Sequence, residues 1–338
     1  MKIKWFYRWE FFLLLIFIVE IGIFGWLSPG FFNVNNLLFS MNDFMFISIA
    51  AIPMTLVIIS GGIDVSIGSI MGLCSIILGV SWSHGVNVWL AVLIAISCGL
   101  AAGLLNGLII LYSRVEPLVV TLGSMFLFSG LALVISGGSK ASGYEGISGF
   151  PDAFVQLGNG SFIGIPNPLW FLIGMTAVFC TLLHFTKYGR SVYLVGINSK
   201  AAFYSGLRIK WISLSTYILS GLGGGLGGVL LTSYFSSARA DLGSEAVLPV
   251  ITAVVLGGTS IIGGKGSIAG TVIASIVIGF MQYGLQMIGL TSEQASIVIG
   301  AMLIISVMAR QSSYQKVNQW FRQSKTNSSD LTYKGEMR

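Results

Sequence analysis

Charge is what this sequence has least of. Asp, Glu, Lys and Arg make up 9% of its 338 residues, where a soluble domain carries about 25%. With 54% hydrophobic residues, too little polar surface remains to keep a globular fold in water, so the bilayer is the solvent. Histidine occurs twice and cysteine three times. Cys74, Cys98 and Cys180 all sit inside apolar runs, which gives neither a disulfide framework nor a metal-ligand cluster. The net charge of +6 is dispersed between apolar stretches instead of concentrated on a soluble face, so a nucleic-acid partner is excluded.

What is present in excess is glycine, 44 residues, about twice the usual share of near 7%. In lipid that excess signals helices whose backbones approach closely. The fold class expected is an all-α polytopic membrane protein. Ten apolar stretches approach the length of a span, near 11–27, 44–60, 66–83, 88–112, 117–136, 168–186, 212–235, 247–262, 267–289 and 293–309. About ten transmembrane helices are therefore expected. The first stretch carries Glu20 and no small-residue cleavage site, so it is read as an anchor and not as a signal peptide.

Placing the N-terminus inside puts sixteen of the eighteen Lys and Arg residues in inner segments and leaves Lys140 and Arg239 outside. That asymmetry predicts both termini cytoplasmic. The expected organisation is a membrane domain over 1–310, with an outer, periplasmic loop at about 137–167 and an inner loop at about 186–211, followed by a cytoplasmic tail over 311–338. The outer loop, rich in Gly and Pro, is either a folded cap or a lid. In the tail, Tyr314, Val317, Trp320 and Phe321 recur at helical spacing among basic residues, the pattern of a helix lying on the membrane surface.

The run Gly258-Thr259-Ser260-Ile261-Ile262-Gly263-Gly264-Lys265-Gly266 superficially resembles a phosphate-binding loop. Its Lys is displaced by one position, and Gly266 stands where the magnesium-binding hydroxyl belongs. No nucleotide is therefore bound by this chain. Glu20 is the one carboxylate placed mid-span; it is either neutralised by hydrogen bonding or protonation, or part of an ion relay. The glycine pairs Gly61-Gly62 and Gly257-Gly258 break two apolar runs, and Asp64 caps the helix that follows the first or forms part of a moving joint there. Gly-Ser-Ile-x-Gly at 68–72 returns at 266–270, a hint of an internal repeat.

Small residues spaced by four, as in Gly99/Gly103/Gly107 and Gly221/Gly225, imply close packing. Asn106, Thr121, Ser124, Ser220, Gln282, Tyr283 and Gln286 either line a hydroxyl-rich path for a neutral polyol or bond one helix to another. The inner loop 186–211 carries five cationic residues and reads as two short helical pieces around Gly196-Ile197-Asn198. Ser199 or Asn198 is the N-cap of the second piece, and Gly206 its end. Such a segment is either a grip for a motor subunit or a plain interfacial loop.

Three stretches, SGGIDVSIGSIMGL at 60–73, YGRSVYLVGINSKAAFYSGL at 188–207 and AVVLGGTSIIGGKGSIAGT at 253–271, resemble the permease subunits of ABC importers of the ribose and related sugar family. More narrowly, GGIDVSIGSIMGLC, SGYEGISGFPDAF at 142–154 and SYFSSARADLG at 233–243 are similar to the LsrD-type permeases of autoinducer-2 import. The resemblance implies a non-catalytic membrane subunit working with a second, LsrC-like permease, a cytoplasmic ATP-binding subunit that uses ATP and magnesium, and a periplasmic substrate-binding protein. It implies that Gly189, Arg190, Gly196, Asn198, Ala201, Ala202, Ser205 and Gly206 belong to the element that docks on the ATPase. Tyr144, Glu145, Arg239, Asp241 and Glu245 would meet the binding protein. The cargo implied is autoinducer-2, with a pentose or hexose as the alternative within the family and a gradient-driven transporter using Glu20 as the alternative outside it.

Overall fold

The computed structural model describes residues 9–28, 31–113, 115–137 and 146–308. Fourteen helices hold most of them: α1 (Trp9–Leu27), α2 (Val34–Ser40), α3 (Met45–Ile59), α4 (Ile67–Ser83), α5 (Val88–Ser113), α6 (Pro117–Ile135), α7 (Asp152–Asn159), α8 (Asn167–Cys180), α9 (Lys187–Ile197), α10 (Ser199–Tyr204), α11 (Ile209–Phe235), α12 (Val247–Leu256), α13 (Ile268–Met287) and α14 (Ser292–Met308). A 3-10 turn, Met41–Asp43, joins α2 to α3, and a π-helical turn, Thr181–Phe185, extends α8. One small hairpin, β1 (Ser161–Phe162) with β2 (Ile165–Pro166), is antiparallel.

The all-helical membrane class is as expected, but the number of spans is not about ten. Among the described residues six helices are long and apolar enough to cross a bilayer: α1, α5, α6, α8 with its π-turn, α11 and α13. A seventh is counted if Asn36–Asp43 and Met45–Ile59, bent by 55°, form one span. Three expected spans fall short. α4 and α14, at 17 residues each, rise about 26 Å, and α12, at 10 residues, rises about 15 Å, half of a core about 30 Å thick. The apolar run in sequence is longer than the helix it makes. Past Leu256 the chain turns through Gly258, Gly263 and Gly264, all at positive φ, and does not become helical again until Ile268.

α3 is hydrophobic all round and buries every side chain except Phe46, the signature of a helix at the centre of a bundle. α11 lies against it, against α4 and, most extensively, against α5. The α5–α11 pairing is backbone on backbone. A Cβ added at Gly103 would strike the Tyr217 carbonyl, and one at Gly221 the Gly99 carbonyl, so the spaced glycines allow the closest approach two helices can make. α12 and α13 pack on α3 from another side, α1 covers α13, and α6 covers α4. α1, α5, α6 and α8 turn Ile18, Leu93, Phe126 and Val178 outward, as lipid-facing helices do.

The described part of the segment expected as the outer loop is folded onto the bundle. The Gly158 N–H donates to Ser233 Oγ at 2.8 Å, Ser233 Oγ donates to the Phe154 carbonyl at 2.6 Å, and Asn159 Nδ2 donates to the Tyr234 carbonyl at 2.9 Å. These bonds fasten α7 to the end of α11. The expected tail helix with Tyr314, Val317, Trp320 and Phe321 lies outside the described residues, as do Tyr144 and Glu145.

Candidate functional site

Two polar centres interrupt this apolar bundle, one buried and one open, and α11 contributes to both. Ser220 stands in one and Tyr234 in the other, and fourteen residues of helix separate them by about 21 Å.

The first centre forms where α3 stops. Gly61 at φ 90° turns the chain out of the helix, and five residues later Ser66 stands as the N-cap of α4. Between them Asp64 is fully enclosed. Its Oδ1 accepts from the Ser66 amide at 3.0 Å and from Ser66 Oγ at 2.6 Å, and Oδ2 accepts from Ser220 Oγ of α11 at 2.7 Å. Asn106 Nδ2 of α5 donates to Ser66 Oγ at 2.7 Å, and Thr121 Oγ1 of α6 donates to the Ile63 carbonyl at 3.2 Å. A Cβ at Gly62 would meet the Tyr217 hydroxyl. The α4 N-terminus supplies partial positive charge beside the carboxylate.

Asp64 is not itself the N-cap of α4, since Ser66 stands at that position and the carboxylate accepts from Ser66 and not from an amide within the helix. It ties the α3–α4 break to α11 and, through Ser66, to α5. Three of the residues expected to line a path, Asn106, Thr121 and Ser220, bond to this break, and Ser124 is buried one turn further along α6. The bonds of Asn106, Thr121 and Ser220 join one helix to another at this break.

The second centre is an open cavity of about 470 Å³ at the far end of α11. Gln282, Tyr283 and Gln286 of α13 line it together with Arg239, Asp241 and Glu245 from the segment before α12. Arg239 Nε donates to Asp241 Oδ1 at 2.9 Å, and the same two side chains form a second, ion-paired contact. The Tyr234 hydroxyl donates to Asp43 at the α2–α3 bend. Residues assigned separately to a path and to a docking surface thus share one amide-, phenol- and carboxylate-lined space. Asp43 and Tyr234 were missed in sequence because the bend that brings them together lies within an apolar run.

The second glycine break meets the first. Gly264 N donates to the Ile59 carbonyl at 2.8 Å, and Thr55 and Thr271 share a buried hydroxyl bond of 2.9 Å, so the α3–α4 and α12–α13 breaks lie side by side. Gly257 packs against Gly270 and Thr271 backbone atoms at the start of α13. Trp9 Nε1 of α1 donates to the Leu256 carbonyl at 2.6 Å, which holds the last turn of α12. The repeated Gly-Ser-Ile-x-Gly is not wholly helical in its second copy, since Gly266 precedes α13.

The 186–211 segment is two short helices, as its sequence suggests. Thr186 caps α9 by accepting from Gly189 N at 3.2 Å, Asn198 caps α10 by accepting from Ala201 N at 3.0 Å, and Gly206 at φ 80° ends it. The α9 helix rests on both breaks. A Cβ on Gly196 would collide with the Ile59 carbonyl and with Gly264 N, and Tyr193 donates its hydroxyl to the Gly266 carbonyl at 2.8 Å. Burial, with the Cys180 thiol adding, pushes the Tyr193 phenol up to about 12, so it remains a donor throughout the neutral range. Gly189 and Ala202 face inward, whereas Arg190, Asn198, Ala201, Ser205 and Gly206 are exposed. The sequence reading missed the apolar outer face. Phe203 is 65% and Tyr204 87% exposed, and Leu194 and Ile197 are also uncovered. Their exposure could not be read from helices as short as α9 and α10, of 11 and 6 residues.

Glu20 is buried on α1, and neither carboxyl oxygen has a hydrogen-bond partner among the described residues. Its neighbours one turn away, Phe17 and Phe24, pack on Phe280 and Gly284 of α13. Among the described residues no group of three or more His, Cys, Asp or Glu side chains is placed to hold a metal ion.

A polytopic bundle with adjacent broken helices, a polar cavity at one end and a paired-helix segment resting on the breaks defines a membrane transport subunit. Residues 36–307 match the family model described as the branched-chain amino acid transport system permease component, and the chain belongs to that family. It is 46% identical over 318 residues to the "Autoinducer 2 import system permease protein LsrD" of Yersinia enterocolitica serotype O:8, covering 94% of this chain and 96% of that one. The proteins of the same name from Salmonella typhimurium and Escherichia coli K12 are each 45% identical. The first match covers 93% of this chain and 96% of the relative, the second 95% and 98%. No solved structure matches the chain. The chain is thus a multi-pass inner-membrane permease subunit of an ABC importer, non-catalytic itself and served by a separate ATPase.

Proposed function

We propose that this permease passes autoinducer-2, a small polyhydroxylated molecule, inward by alternating access. It pairs with a second, LsrC-like permease, receives cargo from a periplasmic substrate-binding protein and is driven by a cytoplasmic ATP-binding subunit that consumes ATP and magnesium. The names borne by its relatives support the cargo. The cavity suits it chemically, because the amides of Gln282 and Gln286 and the phenol of Tyr283 both donate to and accept from hydroxyls. Arg239, Asp241 and Glu245 at the same cavity are where the binding protein delivers, and Tyr144 and Glu145, outside the described residues, belong to the same docking surface in this reading.

The observation that carries the mechanism is the seat of α9 on both breaks through Gly196. The ATPase grips the exposed face of α9 and α10, and the two helices move as one body against the ends of α3 and α12. Helix breaks that absorb φ and ψ changes let the halves of each pair tilt. A cavity of about 540 Å³ beside Gly196, Ile197, Ile262 and Lys265 gives the segment room to move. Gly61, Gly62, Gly257 and Gly258 are the joints, and Asp64 keeps one of them in register.

Phe203 and Tyr204 provide the test, since acidic residues there leave the inward face of α10 untouched. Phe203→Asp with Tyr204→Asp is expected to abolish recovery of the ATPase with the permease in mild detergent while the permease still reaches the membrane. Undiminished recovery would remove the grip from this segment.

A further inference from the structure

The turn between β1 and β2 uses Ile163 and Gly164 as its two central residues, at φ 55° and 74°. A two-residue hairpin of this kind needs positive φ at both positions, which favours Asn, Asp or Gly at the first. A β-branched side chain in that region is a steric outlier. Isoleucine thus serves the turn badly, and it does so at the tip, 78% exposed beside Phe162 at 61%. No contact within the hairpin accounts for that choice.

Its surroundings do. The Phe162 ring packs edge-on against Trp170, with centroids 6.3 Å apart, and Trp170 Nε1 donates to the Phe162 carbonyl at 3.4 Å. Trp170 is the fourth residue of the span Asn167–Phe185, about 5 Å along its axis from the end, the position at which interfacial tryptophans concentrate in membrane helices. Phe171 and Ile173, also exposed, continue the apolar surface along α8 into the hydrocarbon. The tip is therefore joined without interruption to a lipid-facing helix surface.

We propose that the Phe162-Ile163 tip is an interfacial anchor that inserts into the bilayer, the occupant of its exposed face being lipid. With Trp170 it pins the α7 cap, and through α7 the end of α11, to a fixed depth. The pinned end is the one beside the cavity, so the cap holds still while the opposite end of the bundle moves.

Spin labels at Ile163→Cys and Phe162→Cys, placed in the full chain with its native cysteines replaced by alanine and reconstituted in phospholipid nanodiscs, test this. Asp152→Cys on the exposed side of α7 serves as the aqueous reference. Collision with oxygen should exceed collision with a water-soluble nickel chelate at 162 and 163, and the order should reverse at 152. A nickel-accessible label at both tip positions would overturn the anchor in favour of a tip in water. Low collision with both reagents would overturn it in favour of a protein contact.

Discussion

Asp64→Leu is expected to lose most of the folded permease from the membrane. The substitution leaves the Ser66 amide, the Ser66 hydroxyl and the Ser220 hydroxyl without their acceptor in a fully enclosed site. Each orphaned donor costs about 1–3 kcal/mol, and the sum is comparable to the whole stability margin of many proteins, about 5–15 kcal/mol. Asp64→Asn keeps one acceptor oxygen but turns an amide donor toward a hydroxyl that already donates, so its loss should be intermediate. Thermal unfolding of the purified chain in detergent checks both, with the order wild type, Asn, Leu. Equal midpoints for all three would mean that the carboxylate holds nothing.

Gly196→Val is expected to have the second large effect, and a different one. Its Cβ would enter the space of the Ile59 carbonyl and Gly264 N. Overpacking of this kind costs about 1–3 kcal/mol, which lifts α9 from the breaks without unfolding the bundle. Cargo uptake should fall by at least about tenfold, the factor that a little over 1 kcal/mol commands, while the ATPase still co-purifies because the outer face of α10 is intact. Full uptake in this variant would show that the stroke does not travel through Gly196. The two substitutions separate stability from transmission.

Much of this was legible in the sequence, for identifiable reasons. Spans such as α5 and α11 announce themselves by length and by the absence of any polar face. The breaks were legible because paired glycines after an apolar run can end a helix, and the two-helix form of 186–211 followed from Asn198 and Gly206 at capping positions. The span count was not legible, because hydropathy marks apolar runs and not the length of the helix within them: α4 and α14 stop at 17 residues and α12 at 10. The Asp64 centre was not legible either. Its partners lie on three other helices, Asn106 being 40 positions from Ser66 and Ser220 being 156 from Asp64, and nothing local records that they meet. The same limit hid that the residues grouped as one path fall in two places, Asn106, Thr121 and Ser220 around Asp64 and Gln282, Tyr283 and Gln286 at the cavity near Tyr234.

The most direct measurement of the central claim is uptake by the complete complex in liposomes, with ATP supplied on the side of α9 and α10 and the proton gradient collapsed by an uncoupler. Accumulation that follows ATP and persists without the gradient is the predicted result. Accumulation that stops with the gradient, and that is lost in Glu20→Gln while ATP remains present, would contradict the account.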